Sequence, residues 1–355
     1  MLILGIETSC DETAASIVSD GKVILSNTVL SQIKLHEHFS GVVPEIACRA
    51  HTNWIVHVIE RAFSEAKVKL GDIDAVAVTT RPGLIGALLI GLSAAKSIAY
   101  ALALPLVAVD HLQAHLYAAV MDCADLEFPF TGLVASGGHT SVFLCSAPGN
   151  SQLLGTTTDD AVGESFDKVS KILGLGYPGG PAISKTAERG NLNAVKFPRT
   201  LLSRDSLDFS FSGIKTAVYY YVRGQPGKRT QAKGREQIIA SVEDICASFQ
   251  EAVVDVLVEK VLRASHLTGT SSIAITGGVA ANKRLREKLS EAGSRENKKV
   301  FFPSPQLCTD NAAMVAGLAY HQLLQGELAD LKEEAYPQPQ YHCYAVTRRR
   351  SQWAR

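Results

Sequence analysis

The chain has 355 residues, which is typical of two domains that are each large enough to bury a core. Hydrophobic residues make up 46% and charged residues 20%, a globular composition that excludes a chain disordered throughout. The 35 basic and 35 acidic residues cancel, which excludes nucleic-acid binding by bulk positive charge and leaves only local basic patches. The seven cysteines include no C-x-x-C pair, which favours a reduced, cytoplasmic protein.

Strands and helices alternate in the N-terminal half. Two apolar segments flank a polar turn over 7–13, and this pattern predicts a hairpin. The predicted strands are 2–5, 14–18, 75–79 and 106–109, and the predicted helices are 54–66 and 84–104.

One stretch, 84–104, is long and apolar enough to be considered as a membrane span, since Lys96 is its only charge. It contains serines and several small residues, and it lies between two segments that read as buried strands. This context favours the crossover helix of a strand–helix–strand unit over a membrane span.

The C-terminal half repeats the layout, beginning with a predicted hairpin whose turn is Gly137–Gly138. Alternation of strands and helices predicts an α/β fold, and two similar halves predict a duplicated domain with a cleft between them. We place the first domain at 1–125 and the second at 126–335. The last helix of the second domain is a candidate to pack back on the first domain. A basic tail covers 336–355. The further predicted strands are 132–136, 141–145, 273–276 and 299–302, and the predicted helices are 167–173, 238–265, 282–291 and 311–325.

Two histidines, His111 and His115, have the i, i+4 spacing that places both imidazoles on one face of a helix. They could share a metal ion; the alternative is a pair of polar residues at a helix end. Leu112 stands where the zinc-peptidase motif requires a glutamate. Asp310 can be interpreted as the cap of the helix that follows it. As a third metal ligand it would instead complete a triad of two histidines and one carboxylate, which is typical of Fe(II).

Three glycine-rich turns, at 136–140, 174–181 and 276–278, each lie beside a predicted strand or helix start. Such turns bring backbone N–H groups close to phosphate, so together they indicate a nucleotide. The polar turn at 7–13 has two interpretations. It is a solvated hairpin tip, or it lies at the mouth of a cleft, where Asp11 and Glu12 are candidates for proton transfer or for positioning the substrate. His36 and His38 would diverge on a helix, and we expect them to be surface or substrate-lining residues.

Taken together, nine segments between residues 2 and 324 resemble the motifs of the TsaD family, formerly named the O-sialoglycoprotein endopeptidase or glycoprotease family. The combination is specific and covers nearly the whole chain. The segments are, in chain order, GIETSCDETAAS, SGVVPEIACRAH, RPGLIGALLIGL, HLQAHLYA, SGGHTSV, GESFDKVSKILGLGYPGGP, FSFSGIKTAV, ITGGVAANKRLR and CTDNAAMVA.

The resemblance implies the duplicated actin-like fold of sugar kinases and heat-shock ATPases, with a nucleotide cleft between two similar domains. It implies transfer of the threonylcarbamoyl group from threonylcarbamoyl-AMP to the exocyclic amine of the adenosine 3′ of the anticodon. The substrates are tRNAs that read codons beginning with A. It also implies TsaB-like and TsaE-like protein partners, a cytoplasmic location and no membrane association.

The resemblance also assigns residues. His111, His115 and Asp310 would hold one divalent metal ion, iron in most family members, with zinc as the alternative. Asp11 matches a position in the first turn that matters for transfer, either as a base or as a positioning residue. The substrate-binding residues would be Ala135, Ser136, Gly137, Gly138, His139, Asp167, Gly180 and Asn282. One departure from the family pattern lies at position 184, where the chain has Ser and some relatives have Asp.

Three other functions remain as alternatives: a metal-dependent glycoprotease, an ATP-using kinase of the same fold, and a non-enzymatic scaffold. Two local basic clusters could contact tRNA, one in the Gly/Pro-rich stretch 223–235 and one at 348–350. The alternative for both clusters is a solvated segment that aids solubility. The first cluster consists of Lys228, Arg229, Lys233 and Arg235.

Overall fold

A computed structural model describes residues 1–39, 41–200, 206–224 and 240–339. Within these ranges the chain forms two five-stranded sheets and the helices that cover them. The strands are β1 (Leu2–Glu7), β2 (Glu12–Ser19), β3 (Val23–Ser31), β4 (Ala75–Arg81), β5 (Leu106–Asp110), β6 (Phe130–Ala135), β7 (Thr140–Ala147), β8 (Asn150–Thr156), β9 (Ser272–Thr276) and β10 (Lys299–Phe301).

The helices connect the strands within each half. Short 3-10 turns also occur at Glu37–Phe39, Leu70–Asp72 and Gly278–Ala281. The α-helices are α1 (Ile33–His36), α2 (Pro44–Ala66), α3 (Ile85–Leu102), α4 (His111–Asp122), α5 (Val162–Leu173), α6 (Gly179–Ala187), α7 (Ser212–Arg223), α8 (Val242–Thr268), α9 (Lys283–Arg295), α10 (Pro305–Cys308) and α11 (Ala312–Leu324).

The two sheets have the same topology. The first has the order β3-β2-β1-β4-β5, with an antiparallel hairpin of β1 and β2 and parallel β1, β4 and β5. The second has the order β10-β9-β6-β7-β8, with an antiparallel hairpin of β6 and β7 and parallel β6, β9 and β10. Each half therefore contributes five strands in the same sequence of pairings, as the similar openings of the two halves predicted.

Several elements differ from the sequence-based prediction. Strands β3 and β8 and helices α6 and α7 were not predicted, and α2 begins at Pro44, ten residues before the predicted start. The first turns of α2 bury small and polar side chains, Ala47, Ala50 and His51, so they lack the strong apolar period that reveals a helix. Strand β3 is the edge strand of its sheet. It buries the polar Ser26 and Thr28 and exposes apolar residues such as Val23, which weakens its signal in the same way.

Helix α11 follows the second sheet in the chain but packs on the first. It contacts β1, β2 and α4, and its residues join the buried cluster that contains Ile3, Val18 and Val107. The approach is close because a Cβ on Gly5 of β1 would lie 2.4 Å from the Ala312 carbonyl oxygen. This return of the chain brings Asp310, two residues before α11, to the first half of the protein.

Helix α3 is the one helix in the described part of the chain that is long and apolar enough to cross a membrane by length and composition alone. A single helix of this kind is weak evidence for a membrane span, and 33% of its residues are buried. It packs against β4 and α2.

The chain after α11 also returns to the first sheet. Ala329 forms a bridge with Leu106, the Tyr336 N–H donates to the Thr80 carbonyl, and Arg81 lies 5.3 Å above the Tyr336 ring. The first residue of the predicted tail is therefore held against β4. The remainder of that tail from residue 340, and both basic clusters, lie outside the described residues.

Candidate functional site

The site forms where strands end. Strands β1, β4 and β5 run parallel, so their carboxyl ends, at Glu7, Arg81 and Asp110, share one edge of the first sheet. In the second sheet, β6 and β9 likewise end together at Ala135 and Thr276. Ligands of open α/β sheets bind in the crevice beyond such carboxyl ends.

His111 and His115 lie on the first turns of α4, which begins directly after β5. The side chain of Asp110 caps this helix by accepting from the N–H groups of Leu112 and Gln113, and this fixes its start at His111. The two imidazole rings are 4.6 Å apart and nearly perpendicular. The predicted i, i+4 placement on one helix face is confirmed.

Asp310 completes the cluster. One oxygen, Oδ1, lies 3.0 Å from His115 Nε2 and 3.6 Å from His111 Nε2. The carboxylate does not cap α11, since Asn311 does so by accepting from the Met314 N–H. The alternative reading of Asp310 as a helix cap is therefore wrong, and the residue is free to act as a ligand.

The charge distribution around the three side chains suits a cation. Burial lowers the pKa of His111, but Asp310 and Glu7 outweigh this effect and raise it to about 9. Burial raises the pKa of Asp310, and the two histidines lower it below its usual range. His115 Nδ1 is buried without a hydrogen-bond partner among the described residues. Ligand atoms from the three side chains lie within 4.8 Å of one another, and two imidazoles with one carboxylate fit a divalent transition metal.

A buried glutamate, Glu7, supports the cluster and was not singled out by the sequence. Its carboxylate accepts from the Ser9 N–H at 2.6 Å, the Thr79 hydroxyl at 2.6 Å and His111 Nδ1 at 3.0 Å. Because Nδ1 is held as the donor to Glu7, Nε2 is the nitrogen of His111 that can give up its proton and bind a metal. The signal in the sequence is a carboxylate that ends a strand of otherwise apolar residues, in LILGIE.

The loop between β6 and β7 brings the second half of the chain to this cluster. The His139 ring lies 5.8 Å from the His111 ring. Burial and the neighbouring His111 lower the pKa of His139 to about 3, so its imidazole is neutral. Gly137 and Gly138 are exposed, and a Cβ on either would meet no described atom within 4 Å. Their backbone is therefore open to a ligand beside the cluster of His111, His115 and Asp310.

The loop is held in a defined shape. The Ser136 N–H donates to the His139 carbonyl at 2.8 Å, and the His139 N–H donates to the Ser136 hydroxyl. Ala135 ends β6 and is covered by Gly277. Only glycine fits at position 277, because its φ is +85° and an added Cβ would lie 2.4 Å from the Ala135 carbonyl oxygen. The glycine-rich turns after β6 and β9 therefore pack against each other.

Asp167, in the middle of α5, lies against the start of α6, where Gly180 is the second residue. The Asp167 carboxylate accepts from the Gly179 N–H at 2.6 Å, at the start of α6. Burial raises the pKa of Asp167 to about 6, and the charge of Asp11 adds to this shift. A Cβ on Gly180 would meet no described atom within 4 Å, so this backbone is open as well.

Asn282 is more engaged in the protein than the sequence suggested. Its Oδ1 caps α9 by accepting from the Leu285 N–H, and its Nδ2 donates to Ser184 Oγ and Gln250 Oε1, both at 2.9 Å. Ser184 in turn donates to Gln250 Oε1. The predicted contact of Asn282 with an adenylate stays a prediction.

The turn between β1 and β2 carries Asp11 and Glu12, both partly buried. The Gln32 N–H donates to the Asp11 carbonyl at 2.9 Å. Burial and the charge of Asp11 raise the pKa of Glu12 well above its usual value. Burial also raises the pKa of the Cys10 thiol, which keeps this side chain in its unreactive protonated form.

Comparison with known proteins identifies the family. The family model described as TsaD, tRNA N6-adenosine threonylcarbamoyltransferase, matches residues 23–317. The chain belongs to the TsaD family. A tRNA N6-adenosine threonylcarbamoyltransferase of Syntrophomonas wolfei is 52% identical over 95% of this chain and 96% of the relative. One of Clostridium perfringens is 48% identical over 95% of this chain and 97% of the relative.

A solved structure supports the fold of this TsaD family member. Full-length HypF in its phosphate- and nucleotide-bound form has a TM-score of 0.61 over 92% of this chain and 56% of HypF, at 16% sequence identity. At this identity the similarity concerns the fold alone. The predicted α/β, duplicated actin-like fold is confirmed.

One sequence-based expectation in this TsaD family member is wrong. His36 was expected at the surface or lining the substrate, but its side chain is fully buried between α1 and α2. Its Nε2 lies 3.1 Å from Gln32 Oε1, and its Nδ1 accepts from the Val43 N–H. His38, two residues further on, is exposed, as expected.

Proposed function

We propose that this chain transfers the threonylcarbamoyl group of threonylcarbamoyl-AMP to the N6 amine of the adenosine 3′ of the anticodon, in tRNAs that read codons beginning with A. Its place in the TsaD family supports the reaction class and the tRNA substrate. The observation that carries the proposal is the meeting of the His111, His115 and Asp310 cluster with the open Gly137–Gly138 loop. An acyl donor held on the loop would lie beside the cluster.

The cluster would hold one divalent ion, for which we propose iron, with zinc as the alternative. Two imidazoles and one carboxylate form the set typical of Fe(II) with open coordination positions. When bound, such an ion polarises a carbonyl and fixes an acyl donor. Glu7 keeps the proton of His111 on Nδ1 and so presents Nε2 to the ion.

The remaining residues would bind the donor. The exposed N–H groups of Gly137 and Gly138 can donate to oxygens of the acyl group or phosphate and can stabilise negative charge as it develops. Asp167 holds the first residue of α6 through the Gly179 N–H, and the open backbone of Gly180 follows directly. Asn282 holds Ser184 in position, and Ala135 ends the strand that carries the loop.

Asp11 is the group we assign to the proton of the amine. An exocyclic aromatic amine is a weak nucleophile, so the acyl group arrives as a mixed anhydride with AMP as the leaving group. In the transfer the bond from N6 to the carbamoyl carbon forms and the bond from that carbon to the phosphate oxygen breaks. The proton released from N6 passes to the Asp11 carboxylate. Asp11 lies on the turn that follows the carboxyl end of β1, the sheet edge where the cluster forms, and its charge adds to the raised pKa of Asp167.

Protein partners and location are also part of the proposal. We expect TsaB-like and TsaE-like partners and a cytoplasmic location, because the nine motifs of the sequence resemble the TsaD family throughout. Leu112 follows His111 where the zinc-peptidase motif has the glutamate that acts as general base, and this counts against the protease alternative.

Mass spectrometry of nucleosides tests the proposal. The protein is incubated with unmodified tRNA, threonylcarbamoyl-AMP and its partners, and the tRNA is then digested. We expect threonylcarbamoyladenosine with the wild-type protein and only background with Asp310→Ala. Metal-dependent cleavage of a glycoprotein, or ATP consumption with a small acceptor and no need for tRNA, would instead support the protease or the kinase.

A further inference from the structure

We propose that His51 is a positioning residue for the transfer reaction. Its side chain contacts both ends of the turn that carries Asp11 and Glu12, and we call this pair of contacts the bracket. Gln32 and His36 extend this support to the segment before α2. The role of the turn rests on the proposed function, but the bracket itself does not. His51 lies on α2, far from the metal cluster in the sequence, and its side chain is fully buried.

One imidazole ring contacts both ends of the turn. His51 Nε2 lies 2.9 Å from the Cys10 carbonyl oxygen, and His51 Nδ1 lies 2.8 Å from the Thr13 hydroxyl. Cys10 precedes Asp11 and Thr13 follows Glu12, so the two carboxylate residues lie between the two hydrogen bonds. A single rigid ring therefore joins the two ends of this turn.

The hydrogen-bond directions follow from the chemistry of the partners. A backbone carbonyl only accepts, so His51 Nε2 carries the proton and donates to Cys10. In a neutral imidazole the other nitrogen then has a lone pair, and Nδ1 accepts from the Thr13 hydroxyl. Burial lowers the pKa of His51, which keeps the ring neutral and preserves this arrangement.

Gln32 and His36 form a second layer behind His51. The Gln32 backbone N–H donates to the Asp11 carbonyl, and its Oε1 accepts from His36 Nε2 at 3.1 Å. His36 Nδ1 accepts from the Val43 N–H, the residue before α2. The side chains of Gln32, His36 and His51 are all fully buried. The turn is therefore tied to α1 and to the start of α2 by polar contacts that solvent does not reach.

The turn needs such support because it places two carboxyl groups side by side. Asp11 and Glu12 are adjacent, and burial together with the charges of Asp11 and Asp310 raises the pKa of Glu12. The two groups cannot both ionise without repelling each other, and a more open arrangement of the turn would relieve this. The bracket opposes this opening without adding a positive charge that would pair with Asp11. Small displacements of a reacting group reduce rates strongly, so the bracket matters for transfer.

Four variants test the proposal. His51→Ala removes both hydrogen bonds, whereas His51→Gln keeps an amide N–H able to reach the Cys10 carbonyl. Thr13→Val removes the hydroxyl at the other end with little change of shape. His321→Gln is the matched control: this partly buried histidine of α11 contacts Tyr117 Oη at 2.6 Å and takes no part in the turn.

Two readouts separate the bracket from the proposed function. Amide hydrogen exchange of a peptide spanning residues 8–14 reports on the turn and needs no activity. We expect faster exchange there in His51→Ala and Thr13→Val, partial restoration in His51→Gln, and no change in His321→Gln. In the transfer assay we expect kcat of His51→Ala to fall roughly ten- to a hundredfold, with the KM for the donor and the metal content unchanged.

Other results of the same experiments would overturn the proposal. Wild-type exchange in the turn of both His51→Ala and Thr13→Val would overturn the bracket, even with transfer established. Faster exchange together with an unchanged kcat would overturn the role in transfer. If His51→Ala does not fold, the comparison of His51→Gln and Thr13→Val with the wild type decides in the same way. A wild-type protein that makes no threonylcarbamoyladenosine would remove the proposed function, while hydrogen exchange would still decide on the bracket.

Discussion

Glu7 Oε2 lies 3.0 Å from His111 Nδ1, and both side chains are buried. Glu7 ends β1 and His111 begins α4, so this contact joins the first strand of the sheet to the helix that carries two of the three proposed metal ligands. The charge of His111 lowers the pKa of Glu7 although burial raises it, so the carboxylate stays ionised and accepts from the imidazole. This pairing orients His111 before any metal binds.

Removing the partner of His111 should weaken metal binding. We expect Glu7→Ala to lower metal affinity on the order of ten- to a hundredfold, the range for groups that orient a ligand. Titration of the metal-free protein with Fe(II) or Zn(II) measures this directly. Thr79→Val removes one hydrogen bond to the same carboxylate and should cause a smaller loss. An affinity within twofold of wild type in Glu7→Ala would contradict the orienting role.

Removing a ligand should have a larger effect. His111→Ala and His115→Ala should each lower the metal content and the transfer rate together, by at least the loss expected for Glu7→Ala. The fold should persist, because the caps of α4 and α11 are provided by Asp110 and Asn311. Elemental analysis and thermal melting are measured on the same samples. Normal metal occupancy in both variants would refute the assignment.

Asp167 gives a pH dependence of stability. Its pKa is about 6 in the folded chain, above the value of 3.8 for an unperturbed aspartate, so the folded state binds the proton more tightly. Stability should therefore fall as pH rises from about 4 to about 6, by about 2–3 kcal/mol from this group alone. Asp167→Asn should flatten that part of the profile. Parallel profiles for the wild type and the variant, from denaturant unfolding, would contradict the raised pKa.

The basic cluster of the stretch 223–235 gives a prediction for tRNA. If it follows the phosphate backbone, replacing its four basic residues with serine should raise the KM for tRNA and flatten its dependence on salt. Binding of the adenylate should not change. An unchanged salt slope would leave the cluster without a role in RNA binding. The substituted residues are Lys228, Arg229, Lys233 and Arg235.

The sequence predicted what depends on local patterns. Alternating apolar segments and the two hairpin turns indicated two similar α/β halves, and the spacing of His111 and His115 placed them on one helix face. Asp310 was assigned as a ligand only through the resemblance to the TsaD family, because its approach to α4 depends on the return of α11 to the first sheet. No local sequence pattern indicates that α11 returns to the first sheet.

Contacts between residues distant in the chain were not predicted. Glu7 meets His111 across 104 residues, and His51 meets Thr13 across 38. In both cases one polar side chain lies in an apolar strand or helix, where sequence alone does not reveal its partner. The domain boundaries at 125 and 335 stay predictions, although the segment between α4 and β6 agrees with the first of them.

The most direct measurement locates the modification in tRNA. A tRNA that reads codons beginning with A is incubated with the wild-type protein or Asp310→Ala, threonylcarbamoyl-AMP and the partner proteins, then cut with a nuclease and sequenced by mass spectrometry. We expect the added mass of one threonylcarbamoyl group on the adenosine 3′ of the anticodon with the wild-type protein, and none with Asp310→Ala. An unmodified anticodon fragment with the wild-type protein, or full modification with Asp310→Ala, would contradict it.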